Sequence, residues 1–123
     1  MPHPTEIRLK TRTRVLSLRY DDGSEFDLDC EYLRVYSPSA EVKGHGPGQS
    51  VLQVGKQHVN IMEIVPVGNY AIRLVFDDRH DSGIYTWEYL YRLGRDHDQL
   101  WEQYLQALEA AGQRRELVSD ERK

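Results

Sequence analysis

A chain of 123 residues with net charge −4 and a single cysteine fits one domain with a modest core. Sixteen basic against twenty acidic side chains argue against a general nucleic-acid binder, which needs clustered cations to neutralise phosphates. Cys30 alone excludes an internal disulfide and a thiolate-only metal site, and no apolar run reaches the length of a membrane span or a secretion signal, so a soluble, cytoplasmic protein with no membrane partner is expected.

Residues 6–9 (EIRL) and 14–20 (RVLSLRY) alternate polar and apolar, as half-buried strands do. Their apolar sets differ in parity, odd at Ile7 and Leu9 but even at Leu16, Leu18 and Tyr20. A turn or bulge near Arg12–Thr13 restores a common face. Asp22-Gly23 then turns the chain into a strand carrying Phe26 and Leu28. Arg8, Lys10, Arg12 and Arg14 carry charge along the first hairpin, but no aromatics interleave with them to stack bases, so nucleic acid is not expected as a partner.

Leu33 and Tyr36 share a helical spacing, which predicts one or two turns with Asp29 as N-cap and Pro38 as the stop. The run KGHGPGQS, with three glycines and a proline, is expected to be an exposed, mobile loop. Residues 58–78 give the clearest sheet pattern, two strands about a Gly68-Asn69 turn, with Ile72, Leu74 and Phe76 on one face. Trp87, Leu90 and Tyr91 mark a helix that Gly94 is expected to close. Asp96 and Gln99 form a capping-box pattern ahead of a second helix with the stripe Leu100, Tyr104, Leu105 and Leu108, ended by Gly112. Residues 1–112 are read as the domain and residues 113–123 as a charged flexible tail. Strands first and helices last give an α+β class: a twisted antiparallel sheet with two C-terminal helices packed on it.

Chemistry concentrates at FDDRHDSGIYTWEYL. His80 sits among Asp77, Asp78 and Asp81 where a strand must hand over to a helix, and such residues satisfy turn donors. A turn-locking histidine is the leading reading. A general acid–base pair of His80 with an aspartate would need a cleft and a second group, and no nucleophile motif accompanies it. A metal site would recruit His45 or His58 through folding, since neither stands at a local ligand spacing from His80. The clustered aromatics Trp87, Tyr89, Tyr91, Trp101 and Tyr104 read as core, and Cys30 as a small buried residue without a catalytic role.

The stretches EYLRVYSPSAEVKGHGPGQ (residues 31–49) and VGNYAIRLVFDDRHDSGIYTWEYLYRLG (residues 67–94) resemble the gamma-butyrobetaine hydroxylase-like N-terminal domain family, over roughly residues 5–111. In the carnitine-synthesis hydroxylases this domain precedes a separate oxygenase domain that holds iron and 2-oxoglutarate. No such domain is in this sequence, so the resemblance implies a standalone accessory domain without dioxygenase activity, and standalone bacterial members have no settled function. Related domains fused to iron–sulfur carrier ATPases suggest a protein partner in iron–sulfur or metal-cofactor assembly. The hydroxylases' domain also holds a structural zinc through three cysteines and a histidine. Those positions match Ser37, Ser39, a residue near Val42, and His80, which implies that the structural zinc is absent here. The residue before the histidine is commonly glycine in the family; here it is Arg79. The expected function is therefore a non-enzymatic accessory or binding domain. The alternatives are a metal-binding protein using His80 with His45 or His58, and a small enzyme with a His80–aspartate pair.

Overall fold

The computed structural model describes residues 2–43 and 51–115. The class is α+β, and its strands divide into two antiparallel three-stranded sheets rather than one. The first contains β1 (Pro4–Lys10), β2 (Val15–Tyr20) and β3 (Glu25–Asp29) in that order. Ile7 pairs with Leu18 and Leu9 with Leu16, so the turn through Arg12–Thr13 does bring the two parities onto a shared face. Arg14 takes a left-handed φ of 59° to close it.

Helix α1 (Cys30–Val35) follows directly, and all six of its residues are buried. Asp29 stands at the N-cap as expected, though its carboxylate makes no capping bond. A short second helix, α2 (Ala40–Lys43), comes next. The glycine-rich run after Lys43, including His45, lies outside the described residues.

The second sheet orders β4 (Ile61–Val67), β5 (Ala71–Phe76) and β6 (Ile84–Thr86). A register shift between Ile61 and Glu63 throws Met62 outward, where it is 68% exposed. Beyond the bulge the even positions Ile64 and Pro66 oppose Leu74 and Ile72. Because β4 has one free edge, Pro66 is tolerated without breaking a ladder.

Helix α3 (Trp87–Arg95) is capped by Thr86, whose hydroxyl accepts from Tyr89 N–H. Two sequence expectations fail here. Gly94 does not end α3 but lies inside it, because the Phe26 ring packs where a Cβ would stand. The capping box of α4 (His97–Ala110) does not form: the Asp96 carboxylate pairs with Arg95 at 3.0 Å instead of capping. Gly112 (φ 69°) follows the helix end, as expected.

The main core draws Leu16, Leu18 and Leu28 from the first sheet and Ile61, Leu74 and Tyr85 from the second. Leu33 of α1 and Leu90 and Leu93 of α3 complete it. Phenols stitch the layers together. Tyr20, Tyr32, Tyr36, Tyr85, Tyr89 and Tyr104 each donate to a main-chain carbonyl more than fifty residues away. This satisfies both the buried hydroxyls and the orphan carbonyls.

Candidate functional site

His80 sits in the connection between β5 and β6. Phe76 N–H donates to the His80 carbonyl at 2.9 Å, and His80 N–H to Asp78 Oδ1 at 3.3 Å. Arg79 reaches this turn in the left-handed region, φ 73°, the conformation glycine adopts without steric penalty. The backbone thus builds a tight turn, and the His80 side chain is 2% exposed.

The ring's partners come from a segment 43 and 39 residues earlier in the chain. Nε2 lies 2.8 Å from Ser37 Oγ and Nδ1 lies 2.9 Å from Glu41 Oε1. The carboxylate at the ring is therefore glutamate, not one of the neighbouring aspartates. A carboxylate can only accept from a neutral ring, which puts the proton on Nδ1 and leaves Nε2 to accept the Ser37 hydroxyl. Ser37 Oγ in turn accepts from Ser39 N–H at 3.2 Å. Ser39 caps α2, its Oγ accepting from Glu41 N–H, and meets Ser82 Oγ at 2.6 Å. Burial is the largest influence on the imidazole and, with the nearby Arg34 charge, holds its pKa below the ordinary range; Glu41 and Asp78 oppose this without reversing it.

An ionic network lies beside this cluster. Asp78 Oδ2 accepts from Arg34 Nε at 2.9 Å and from Lys56 Nζ at 2.7 Å, and Arg34 also binds Gln53. Burial alone would raise the Asp78 carboxyl, but Lys56 and Arg34 outweigh it and hold the group below its usual range.

Serine, histidine and glutamate in this order match the connectivity of a hydrolytic triad. Their exposures run the opposite way. In a working triad the hydroxyl opens to substrate and the acid is buried; here Ser37 is 1% exposed and the Glu41 side chain 69%. Gly83 seals Ser37 further, since even a Cβ at that position would collide with its Oγ.

The metal reading meets a poor donor set. Ser37, Ser39 and Val42 stand where zinc-binding relatives are expected to carry thiolates; all three are buried, and Ser37 and Ser39 lie in the His80 cluster. Neutral hydroxyls and an isopropyl group do not fit zinc, and both ring nitrogens of His80 already have partners. His58 is exposed in the turn before β4, and His45 lies outside the described residues. Among the described residues no group of three histidine, cysteine or acidic side chains could hold a metal. Cys30 is buried, and burial pushes its thiol up to about 11, far from a reactive thiolate.

Sequence reasoning located His80 but missed Glu41. The positions of Ser37 and Ser39 were reachable only through the resemblance, which aligned them with metal ligands.

Comparison with known proteins agrees with this architecture. No curated protein matches the chain. Two NMR solution structures share 48% and 50% identity with it, each at a TM-score of 0.81. The first covers 98% of this chain and 97% of its own, the second 100% and 92%. A crystal structure from Acidithiobacillus ferrooxidans ATCC 23270, a protein with unknown function of the DUF971 family, shares 43% identity at a TM-score of 0.63. That match covers 74% of this chain and 91% of the other. Residues 7–91 match the family described as gamma-butyrobetaine hydroxylase-like, N-terminal, and the chain belongs to that family.

Proposed function

We propose that the chain is a non-enzymatic accessory domain that serves a protein partner in iron–sulfur or metal-cofactor assembly. The observation that carries the non-enzymatic reading is the inverted burial of Ser37, His80 and Glu41. The Ser37 hydroxyl that His80 could activate is sealed, and the acid that would orient the histidine faces water. The partner class rests on the family's occurrence beside iron–sulfur carrier ATPases.

Two measurements test this. A fluorophosphonate probe should leave Ser37 unlabelled in the native protein, and labelling that disappears in Ser37→Ala would overturn the non-enzymatic reading. Purification under low oxygen should yield no stoichiometric zinc by elemental analysis and should co-purify an iron–sulfur carrier ATPase. One tightly held zinc per chain would restore the metal-binding alternative, and failure to retain the ATPase would remove the partner class.

A further inference from the structure

Val35, Val42, Leu52, Tyr89, Tyr104 and Ala107 line a groove of about 550 Å³ between the α1–α2 segment, α3 and α4. This is within the range of small-molecule sites. Most of its polar groups are already engaged. The Tyr89 hydroxyl donates to the Tyr36 carbonyl and that of Tyr104 to the Gln53 carbonyl, so both phenols offer ring surface to the groove. Ser37 borders the groove but is only 1% exposed, its hydroxyl held by His80, and Gln53 is held by Arg34 and Val51.

The charge is one-sided. Among the described residues Arg92 and Lys43 line the groove and no acidic side chain does, in a chain with net charge −4. The Lys43 ammonium lies 5.2 Å from the Tyr89 ring centroid. Arg92 is exposed and is in no ion pair or side-chain hydrogen bond among the described residues. Asp96, one turn on, senses its charge but is itself held by Arg95.

We propose that this groove binds a small amphipathic monocarboxylate. The apolar body lies against Val35, Val42, Leu52 and the two tyrosine rings, and the carboxylate meets the Arg92 guanidinium as a two-point, charge-assisted pair. One unpaired guanidinium over an apolar floor suits a monoanion with a hydrocarbon tail better than a phosphate dianion, which needs more donors. A small-molecule site of this kind goes beyond the partner reading, and either stands if the other falls.

The test uses the full chain and octanoate as probe, followed by amide chemical shifts and calorimetry, with octanol and octyl phosphate as comparators. Octanoate is expected to saturate, shifting Val42, Leu52, Tyr89 and Tyr104, with octanol and octyl phosphate weaker. Arg92→Gln should weaken octanoate roughly tenfold or more. Arg95→Gln, whose guanidinium is tied to Asp96, should leave it unchanged. Arg92 is exposed, so its replacement leaves the core intact, and an unaltered amide spectrum outside the groove verifies this. Each of four outcomes would overturn the proposal: no saturation by octanoate, equal binding of octanol, tighter octyl phosphate, or insensitivity to Arg92→Gln. Displacement of octanoate by a tighter peptide with an apolar C-terminal residue would reassign the groove to protein tails. Groove shifts that track protein concentration alone would reassign it to a second copy.

Discussion

At His80 the two hydrogen bonds differ in worth because their partners differ in burial. Glu41 faces water, which replaces a lost imidazole partner at little cost; Ser37 is sealed and cannot be rehydrated. His80→Leu should therefore destabilise by about 1–3 kcal/mol, the penalty for leaving a buried hydroxyl unsatisfied. Adding Ser37→Ala should recover part of that loss, since removing both polar partners is milder than removing one. A denaturant series on the three proteins checks this, and a double variant no better than the single would place the penalty elsewhere. The same residue sets a pH dependence. With the folded pKa below the unfolded value, the unfolded chain binds the proton more readily. The stability His80 contributes is complete above the ordinary histidine range near ~6.5 and declines as pH falls from there toward the folded value. Urea midpoints at pH 7.5 and 5.0 should fall further for wild type than for His80→Asn, despite the opposing charges of Glu41 and Asp78. Next in the chain, Arg79 holds a left-handed φ that costs a side-chain-bearing residue about 1–2 kcal/mol. Glycine would relieve that but gain freedom when unfolded, by about 0.4–1 kcal/mol. Arg79→Gly should raise the melting temperature slightly, and a fall would mean that the arginine side chain contributes more than its backbone costs.

Among the elements, α3 owes its position to a missing side chain. Gly94 costs about 1 kcal/mol of helix propensity relative to alanine, yet Phe26 fills the space its Cβ would occupy. Phe26 cannot swing away freely, being held edge-on by Tyr20 and Tyr91 at centroid distances of 5.9 and 5.4 Å. Gly94→Ala should thus destabilise by about 1–2 kcal/mol, overpacking outweighing propensity. In a Phe26→Ala background the same change should stabilise instead, and thermal melts of the four proteins measure that reversal. This packing explains why the glycine misled a reading of the sequence: a glycine after an apolar stripe has the pattern of a C-cap, and only the partner strand reveals otherwise. The first hairpin was legible because a period of two persists through Leu16, Leu18 and Tyr20. Strand β4 was legible as well, but its Met62 bulge, which switches parity mid-strand, was not. Strand β6 has three residues, too few to establish a period. His80 stood out for its neighbours in sequence, whereas Ser37 and Glu41 lie 43 and 39 positions away, and no periodicity links residues across such a span.

For the whole molecule, one long-range contact joins α1 to the segment that follows α4. Glu31, buried in α1, receives a two-point pair from Arg115, with Nη2 at 2.6 Å and Nε at 3.0 Å. The guanidinium also lies 5.3 Å from the Trp101 ring centroid, and the Arg115 carbonyl accepts from Gly55 N–H at 2.9 Å. Residues beyond Gly112 were expected to form a charged flexible tail, but Arg115 is fastened from three directions, and residues 116–123 lie outside the described residues. Removing one member of a buried pair costs about 3–5 kcal/mol because the other charge is stranded. The Arg115 side chain is 38% exposed, so solvent screens the pair and the expected loss shrinks to about 1–3 kcal/mol. A cut after Gly112 should then lower the melting temperature by several degrees. A cut after Arg115 should change it little, and Arg115→Ala in the full chain should reproduce most of the first effect. Pairing Arg115→Ala with Glu31→Gln should soften the loss, because an amide strands no charge in α1. If both truncations melt like the full chain, Glu31 is satisfied by water instead, and the domain ends where α4 does.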